Sequence, residues 1–319
     1  MAEGKKTVHL VGIGVTHSIA YSMHNHIASS LNLPWTFHST ECPTLDDLLA
    51  LAKSPSTAGL VVTMPYKTTV LAHVDEVDEV ATAIGACNNI YYKPGALDAN
   101  SSTEPRRLCA SNTDWLGVKG CLLEKTHEVP RLSGDRPLTG LVVGAGGASR
   151  AALYALATHL RCTTVYILNR DEQEVADLER DCRLLLSPPT IVHVTSLAQA
   201  QALATPHYIV GTVPDFAPQS EAEKTVATAL RDFLSRPEKG VLLDMCFKPR
   251  RTRTIQLAER LGWSCVEGTH VIGYQIETQW RLWAGEELAA KLDNKGAWDV
   301  LLKAADESKA INFEVAAEE

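Results

Sequence analysis

The stretch from Leu138 to Leu160 constrains this chain more than any other. It reads LTGLVVGAGGASRAALYALATHL: a buried strand runs straight into Gly144-Ala145-Gly146-Gly147, and a helix begins directly behind. Strand, glycine turn and helix in that order form the first half of a βαβ unit. The first glycine permits the tight turn, and the next lets the backbone approach a pyrophosphate. The helix N-terminus then offers free N–H groups and a positive dipole end to the phosphates. The final glycine of the G-x-G-x-x-G pattern is replaced by Ser149.

The next strand, Thr164–Leu168, ends at Asn169-Arg170-Asp171, and Asp171 lies 24 residues after Gly147. That is close to the spacing at which such units place the acid that binds the adenosine ribose. A carboxylate there accepts hydrogen bonds from both ribose hydroxyls and repels a 2′-phosphate. Glu174 adds a second negative charge one turn on, whereas Arg170 could hold a 2′-phosphate or stack on adenine. Two carboxylates against one arginine favour NAD over NADP. Helix capping is the other use open to Asp171, and the two roles can coexist.

Bulk properties set the frame. A length of 319 residues suits two domains rather than one. With 45% hydrophobic and 21% charged residues the chain can bury real cores. A net charge of −8 disfavours nucleic-acid partners. The one dense basic run, Lys248-Pro249-Arg250-Arg251-Thr252-Arg253, is short and reads as a solvated loop. The apolar run Val8–Val11 is too short for a signal-peptide core, and no stretch of apolar residues is long enough to span a membrane. The eight cysteines include no Cys-x-x-Cys pair. They read as reduced thiols, mostly buried, in a cytoplasmic protein, and no His or Cys cluster has metal-ligand spacing.

Along the chain, strands are expected at Val8–Gly12, Gly59–Thr63 and Asn89–Tyr92, with helices over 20–31, Leu45–Ala52 and Ala81–Ile84. A loop follows over 93–108, then a helix over 115–125 and a linker over 128–137. The second series has strands at 138–143, 164–168, 190–194, 207–211 and 240–244, with helices over 148–160 and 171–185. The last fifty residues are expected to be helical over 271–284, 286–292 and 296–305, ending in a frayed tail, 311–319. Such alternation predicts α/β layers with mostly parallel sheets.

Thr63-Met64-Pro65-Tyr66-Lys67 follows an apolar strand, which places Lys67 at the C-terminal edge, where open α/β sheets bind ligands. Gly85–Asn89 and Ser111–Asp114 are two further polar clusters at loop positions. With these residues the chain resembles the shikimate/quinate dehydrogenase family over nearly its whole length. The family's substrate signature is similar to Val62–Lys67, its second and third substrate loops to Gly85–Asn89 and Asn112–Asp114, and its cofactor loop to Gly144–Arg150. Its C-terminal motifs resemble Asp244-Met245 with Pro249 and Thr252, and Gly268 through Gln275.

The resemblance implies two α/β domains flanking a cleft: a substrate domain, 1–118 plus 271–319, and a Rossmann-like NAD-binding domain, 119–270. It implies quinate or shikimate as the small-molecule substrate, in a monomer or homodimer. Lys67 and Asp114 would form the catalytic pair, with Lys67 acting as general base or as electrostatic anchor. A partly desolvated site lowers a lysine pKa, and a neighbouring carboxylate opposes that. Thr63, Asn88 and Gln275 would hydrogen-bond the substrate's hydroxyls and carboxylate. Cofactor contacts would come from Gly144, Ala145, Gly146, Gly147, Ala148, Asn169, Arg170, Asp171, Thr212 and Gly268. The alternatives are an NAD-dependent shikimate dehydrogenase and a catalytically inactive sensor of the same metabolites; against the sensor, Lys67, Asp114 and the glycine loop are all retained.

One departure from the family's pattern bears on substrate choice. The carboxylate-binding loop is similar to Thr16–Asn25, and Ser18 matches the first of its two serines. The second serine is Ala20 here, followed by Tyr21 where the family has proline. Quinate is bulkier than shikimate at C1, which is tetrahedral and bears both carboxylate and hydroxyl. Trimming a serine to alanine makes room there, so quinate is expected to be preferred. Two other departures are Val210–Pro214, on the cofactor side, and His270, at a position where the family has glycine.

Overall fold

The computed structural model describes residues 4–94, 106–129, 132 and 137–314. The loop expected over 93–108, the linker over 128–137 and the tail over 311–319 lie partly outside these residues. The chain divides into two compact units, Met1–Thr113 with Gln275–Ser308, and Asp114–Tyr274 with Lys309–Glu319.

The first unit is built on a six-stranded sheet: β1 (Lys6–Gly12), β2 (Trp35–Glu41), β3 (Thr57–Val62), β4 (Glu76–Val77), β5 (Asn89–Pro94) and β6 (Arg106–Ser111), in the order β2-β1-β3-β5-β6-β4. β1 pairs parallel with β2 and β3, and β4 with β6, while β5 runs antiparallel to both its neighbours. β2, β4 and β6 are additions to the expected strands, and β6 begins inside the loop expected over 93–108. In β2, Trp35 and Phe37 point inward while Thr36 and His38 are exposed; five of its seven residues are polar, so no apolar run marks it. One core gathers Val11, Leu48, Leu60, Val62, Tyr66 and Ile90. A second cluster is aromatic. Trp35 stacks on Trp280, and Trp280 and Trp283 both meet the buried His24 ring. Trp283 packs on bare backbone, because a Cβ on Gly59 would come within 2.3 Å of its indole.

The second unit carries a sheet that is parallel throughout. It comprises β7 (Leu138–Val143), β8 (Cys162–Leu168), β9 (Thr190–His193), β10 (Tyr208–Gly211), β11 (Val241–Asp244) and β12 (Ser264–Glu267), in the order β12-β11-β10-β7-β8-β9. Counted within the unit this is 6-5-4-1-2-3, the doubly wound Rossmann order, with its switch point between β7 and β10. The strands at 138–143, 164–168, 190–194, 207–211 and 240–244 are found within a few residues of expectation, and β12 is additional. So is the helix Glu221–Ser235, which opens with a reciprocal capping box between Ser220 and Glu223. Its S-x-x-E start is a sequence signal that was open to use.

The division between the units has a local cause. The helix Asp114–Thr126 packs on the helix Gly268–Gly273 with almost no spacing. A Cβ on Gly117 would lie 2.6 Å from Val271, and one on Gly120 would lie 2.3 Å from the Tyr274 ring. Both helices lie whole within the second unit, whose main segment runs over 114–274, beside the 119–270 expected for the dinucleotide domain. Buried Ile311 accepts from the Arg250 N–H (2.8 Å), which ties the stretch around 311 to this unit as well.

The basic run over 248–253 differs from its expected character as a solvated loop. Arg250 pairs with Glu267 (2.5 Å), Arg251 with Glu259 and Glu267, and Arg253 with Asp215. The three arginine charges are met inside the unit, while Lys248 is exposed. Six of the cysteines are buried and all eight are free thiols. Among the described residues no helix is long and apolar enough to cross a membrane, and no three His, Cys, Asp or Glu side chains converge as a metal site.

Candidate functional site

The glycine loop occupies the switch point of the parallel sheet. Gly144 sits at φ +113°, where side chains are strained, and a Cβ there would lie 2.5 Å from Thr212 Oγ1. Its N–H donates to the Leu168 carbonyl (2.8 Å), which closes the turn onto β8. Gly146 is the opposite case, because a Cβ on it would meet nothing within 4 Å. It caps the helix Gly147–Tyr154 without a side chain, leaving the first-turn N–H groups to an incoming anion. Open space, a bare helix start and the switch point together fit a dinucleotide pyrophosphate.

Ser149 explains how the missing glycine is tolerated. It is fully buried, its Oγ lies 2.7 Å from Thr212 Oγ1, and Thr212 donates in turn to the Val143 carbonyl (2.7 Å). A hydroxyl bridge joins helix to β10 where a glycine would allow direct contact. Thr212 is thus placed at the cradle, holding the loop in shape. Gly268 is placed differently. A Cβ on it would lie 2.4 Å from the Met245 carbonyl, so the local backbone packing itself demands glycine.

At the end of β8, Asp171 caps the helix Glu172–Cys182, its Oδ1 accepting from the N–H groups of Gln173 (2.8 Å) and Glu174 (3.0 Å). Asn169 Nδ2 donates to Glu174 Oε2 (2.9 Å). Arg170 is ion-paired to Glu223, a partner 53 residues away that no sequence spacing indicates.

The buried end of β11 carries Asp244. Its Oδ2 accepts from Thr252 Oγ1 (2.7 Å) and its Oδ1 from the Cys246 N–H (3.2 Å). Burial pushes its carboxyl up to about 7 despite these bonds. On the facing helices, Glu124 Oε2 lies 3.1 Å from His270 Nδ1 and accepts from the Tyr274 hydroxyl (3.1 Å). His270 thus belongs to a helix-to-helix clamp.

In the first unit, Thr63 to Lys67 follow β3 in a turn fixed from several sides. The Thr63 N–H donates to Val11, the Met64 carbonyl accepts from Ile13, and the Tyr66 hydroxyl donates to the Cys42 carbonyl (2.7 Å). The Lys67 carbonyl accepts from the Cys87 N–H (2.8 Å), which joins this turn to the Gly85–Asn89 loop. Lys67 is half-buried. Asp114 is buried and opens the helix that starts the second unit, where its charge suits the dipole.

Asn88, Thr113 and Gln275 meet directly. Asn88 Nδ2 donates to Gln275 Oε1 (2.7 Å), and the Thr113 N–H donates to Asn88 Oδ1 (2.7 Å). Thr113 Oγ1 lies 2.6 Å from Gln275 Oε1, and Asn89 Nδ2 donates to both Asn88 Oδ1 and Thr113 Oγ1 (2.8 Å each). All four side chains are buried. A buried amide left unpaired is costly, so such a network is held rigidly. Asn89 and Thr113 were not singled out from sequence as site residues, although they stand inside the two polar loops.

Ser18 and Ala20 are both buried, at the start of the helix Ala20–Ser30. Ser18 Oγ accepts from the Ala20 N–H (3.3 Å). The loop before them is gripped by Glu41, whose two carboxylate oxygens accept from Gly14 (2.8 Å) and Val15 (2.7 Å). That carboxylate was not anticipated from sequence.

Comparison with known proteins adds independent findings. Residues 10–90 match the shikimate dehydrogenase substrate-binding domain. A curated quinate dehydrogenase of Emericella nidulans is 31% identical over 300 residues, covering 89% of each chain. A pentafunctional AROM polypeptide of Eremothecium gossypii is 32% identical over 288 residues, which are 88% of this chain but 17% of that much longer protein. Among solved structures, shikimate 5-dehydrogenase of Thermus thermophilus, bound to NADP(H) and shikimate, is 26% identical. It superposes with a TM-score of 0.68 over 94% of this chain and 99% of that one.

Proposed function

The chain belongs to the shikimate/quinate dehydrogenase family of oxidoreductases, and from that premise we propose that it oxidises quinate to 3-dehydroquinate with NAD, shikimate being the poorer substrate. The observation that carries the substrate choice is Ala20, buried directly behind Ser18 where the family's second serine would stand. Ser18 then serves as the hydroxyl donor to the substrate carboxylate in this turn, and the methyl of Ala20 leaves room for the tetrahedral C1 of quinate. The segments 1–113 and 275–308 would form the substrate domain, and 114–274 the dinucleotide domain.

A bound dinucleotide supplies the hydride acceptor; the chain's own residues hold the pieces and manage the proton. Gly144 through Ala148 present backbone N–H groups to the pyrophosphate. Asp171, whose Oδ1 accepts on the helix cap, would also bind the adenosine ribose. Asn169, Thr212 and Gly268 would complete the residues that hold the cofactor. Lys67 takes the proton released when the substrate hydroxyl becomes a carbonyl, with Asp114 as the second proposed catalytic residue. Such general-base transfer contributes on the order of 10²–10⁴ in rate. Thr63 reaches the substrate from the same turn as Lys67. Asn88 and Gln275, fixed by Thr113, set the rest of the substrate-side geometry.

The support for NAD is the charge around the ribose position. Asp171 and Glu174 put two carboxylates there, and the Arg170 guanidinium is already paired with Glu223. Initial rates of reduced-cofactor formation with quinate and with shikimate, each with NAD and NADP, test the whole reading. Quinate with NAD is expected to be fastest. Shikimate outrunning quinate overturns the argument from Ala20, and NADP outrunning NAD overturns the argument from charge.

A further inference from the structure

Building on the NAD reading above, we infer that Glu223 is a cofactor-selectivity residue, which holds the Arg170 guanidinium and denies it to a 2′-phosphate. Arg170 follows β8 directly, beside Asp171, so its guanidinium is a group at this edge that could reward NADP. Its side chain is 62% exposed, yet Nη1 is engaged by Glu223 Oε1.

An exposed ion pair is ordinarily weak, because both side chains surrender freedom to form it. Glu223 has surrendered its freedom elsewhere. As the third residue of the helix Glu221–Ser235, it accepts at Oε2 from the N–H groups of Gln219 (2.8 Å) and Ser220 (2.9 Å). Its own N–H donates to Ser220 Oγ (3.2 Å). One carboxylate oxygen closes the capping box and the other faces Arg170. The two backbone bonds also hold its carboxyl down at about 2, so it stays ionised. Neighbouring carboxylates are fixed likewise, Asp171 by its helix cap and Glu174 by Asn169. A 2′-phosphate would have to displace a preorganised anion from Arg170 while adding charge to an already acidic edge.

The test is E223Q, because glutamine at this position still closes a capping box and removes only the charge. Dissociation constants for NADH, NADPH and 2′,5′-ADP are measured by fluorescence titration and calorimetry, beside kcat/KM for both oxidised cofactors. NADPH and 2′,5′-ADP are expected to bind roughly fivefold tighter to E223Q, with NADH nearly unchanged. The double variant R170Q/E223Q is expected to lose that gain. Unchanged 2′,5′-ADP affinity in E223Q, or a gain that persists without Arg170, overturns the inference. The wild-type preference is read separately. A wild type that favours NADPH sinks the NAD reading, whereas the role of Glu223 is judged from the change on substitution, whichever cofactor the wild type prefers.

Discussion

The two units make their sites from different materials. In the second unit the cradle is backbone: glycines, a bare helix start and a closed turn at the switch point of a wholly parallel sheet. In the first unit the sheet is mixed, and its site is side chains: Lys67 on a braced turn, and Asn88, Asn89, Thr113 and Gln275 knotted in a buried network. A backbone site is specified by conformation and free space, so it tolerates no added atoms. A side-chain site is specified by chemical identity, so it tolerates no exchanged groups. Substitutions in each unit should therefore fail in different ways.

The largest effect is expected from Lys67→Met, which keeps bulk and removes the amine. A loss of about 10²–10⁴ in kcat is expected, with dinucleotide affinity intact because the cradle belongs to the other unit. Steady-state kinetics paired with NADH fluorescence titration separates the two. A kcat within tenfold of wild type would mean that Lys67 is not the base.

Gly144→Val attacks the backbone site. The positive φ and the 2.5 Å approach to Thr212 Oγ1 together predict destabilisation on the order of 2–4 kcal/mol. NADH affinity should fall in parallel, seen in denaturant melts and the same titration. Unimpaired NADH binding would break the idea that conformation specifies this site.

The contrast explains what the sequence disclosed. The glycine cradle was legible because every part of it is contiguous, and β10 and β11 were legible as short apolar runs. β12, Ser-Cys-Val-Glu, offers no such run, and β2 hides behind polar alternate residues. Asn88 and Gln275 were legible as polar residues in the family's loops, but their bond spans 187 positions and leaves no trace in either segment. Arg170 was legible as a cation at the end of β8. That Glu223 already holds it was not, because a capping-box glutamate reads the same whether or not its second oxygen has a partner.

Buried titrating groups give the units opposite pH responses. In the first unit His24 is wholly buried, accepts at Nδ1 from Trp280 Nε1 (3.1 Å), and is held down at about 3 by desolvation. The unfolded chain binds the proton more readily, so His24's contribution is full above about pH 6.5 and is lost as pH falls toward 3. By pH 5 that amounts to roughly 2 kcal/mol. In the second unit Asp244 stands at about 7, raised by desolvation. Its contribution is full below the ordinary aspartate pKa near 4 and is lost as pH rises through 7. Hydrogen exchange from pH 4.5 to 8 should show first-unit amides gaining protection with rising pH, and Asp244→Asn should flatten an opposite trend in the second unit. Trends of the same sign in both units, unchanged in that variant, would remove these two groups as the cause.

The smallest expected effect falls on the residue that carries the substrate reading. Ala20→Ser restores one hydroxyl at the head of a helix, in a turn where Ser18 Oγ already accepts from the residue-20 N–H. No backbone change is required. The new oxygen adds a donor for a carboxylate and narrows the space beside a tetrahedral C1, so the two substrates respond in opposite directions. A difference of one small group in a pocket is worth about 1–3 kcal/mol in discrimination. The quinate-to-shikimate ratio of kcat/KM should therefore drop by roughly tenfold while NADH binding in the other unit stays constant. A ratio that does not move would show that the first unit reads its substrate elsewhere, with Asn88 and Gln275 the next positions to exchange. A ratio that moves only through kcat, with KM fixed for both substrates, would place the hydroxyl's effect in the chemical step rather than in the space around C1.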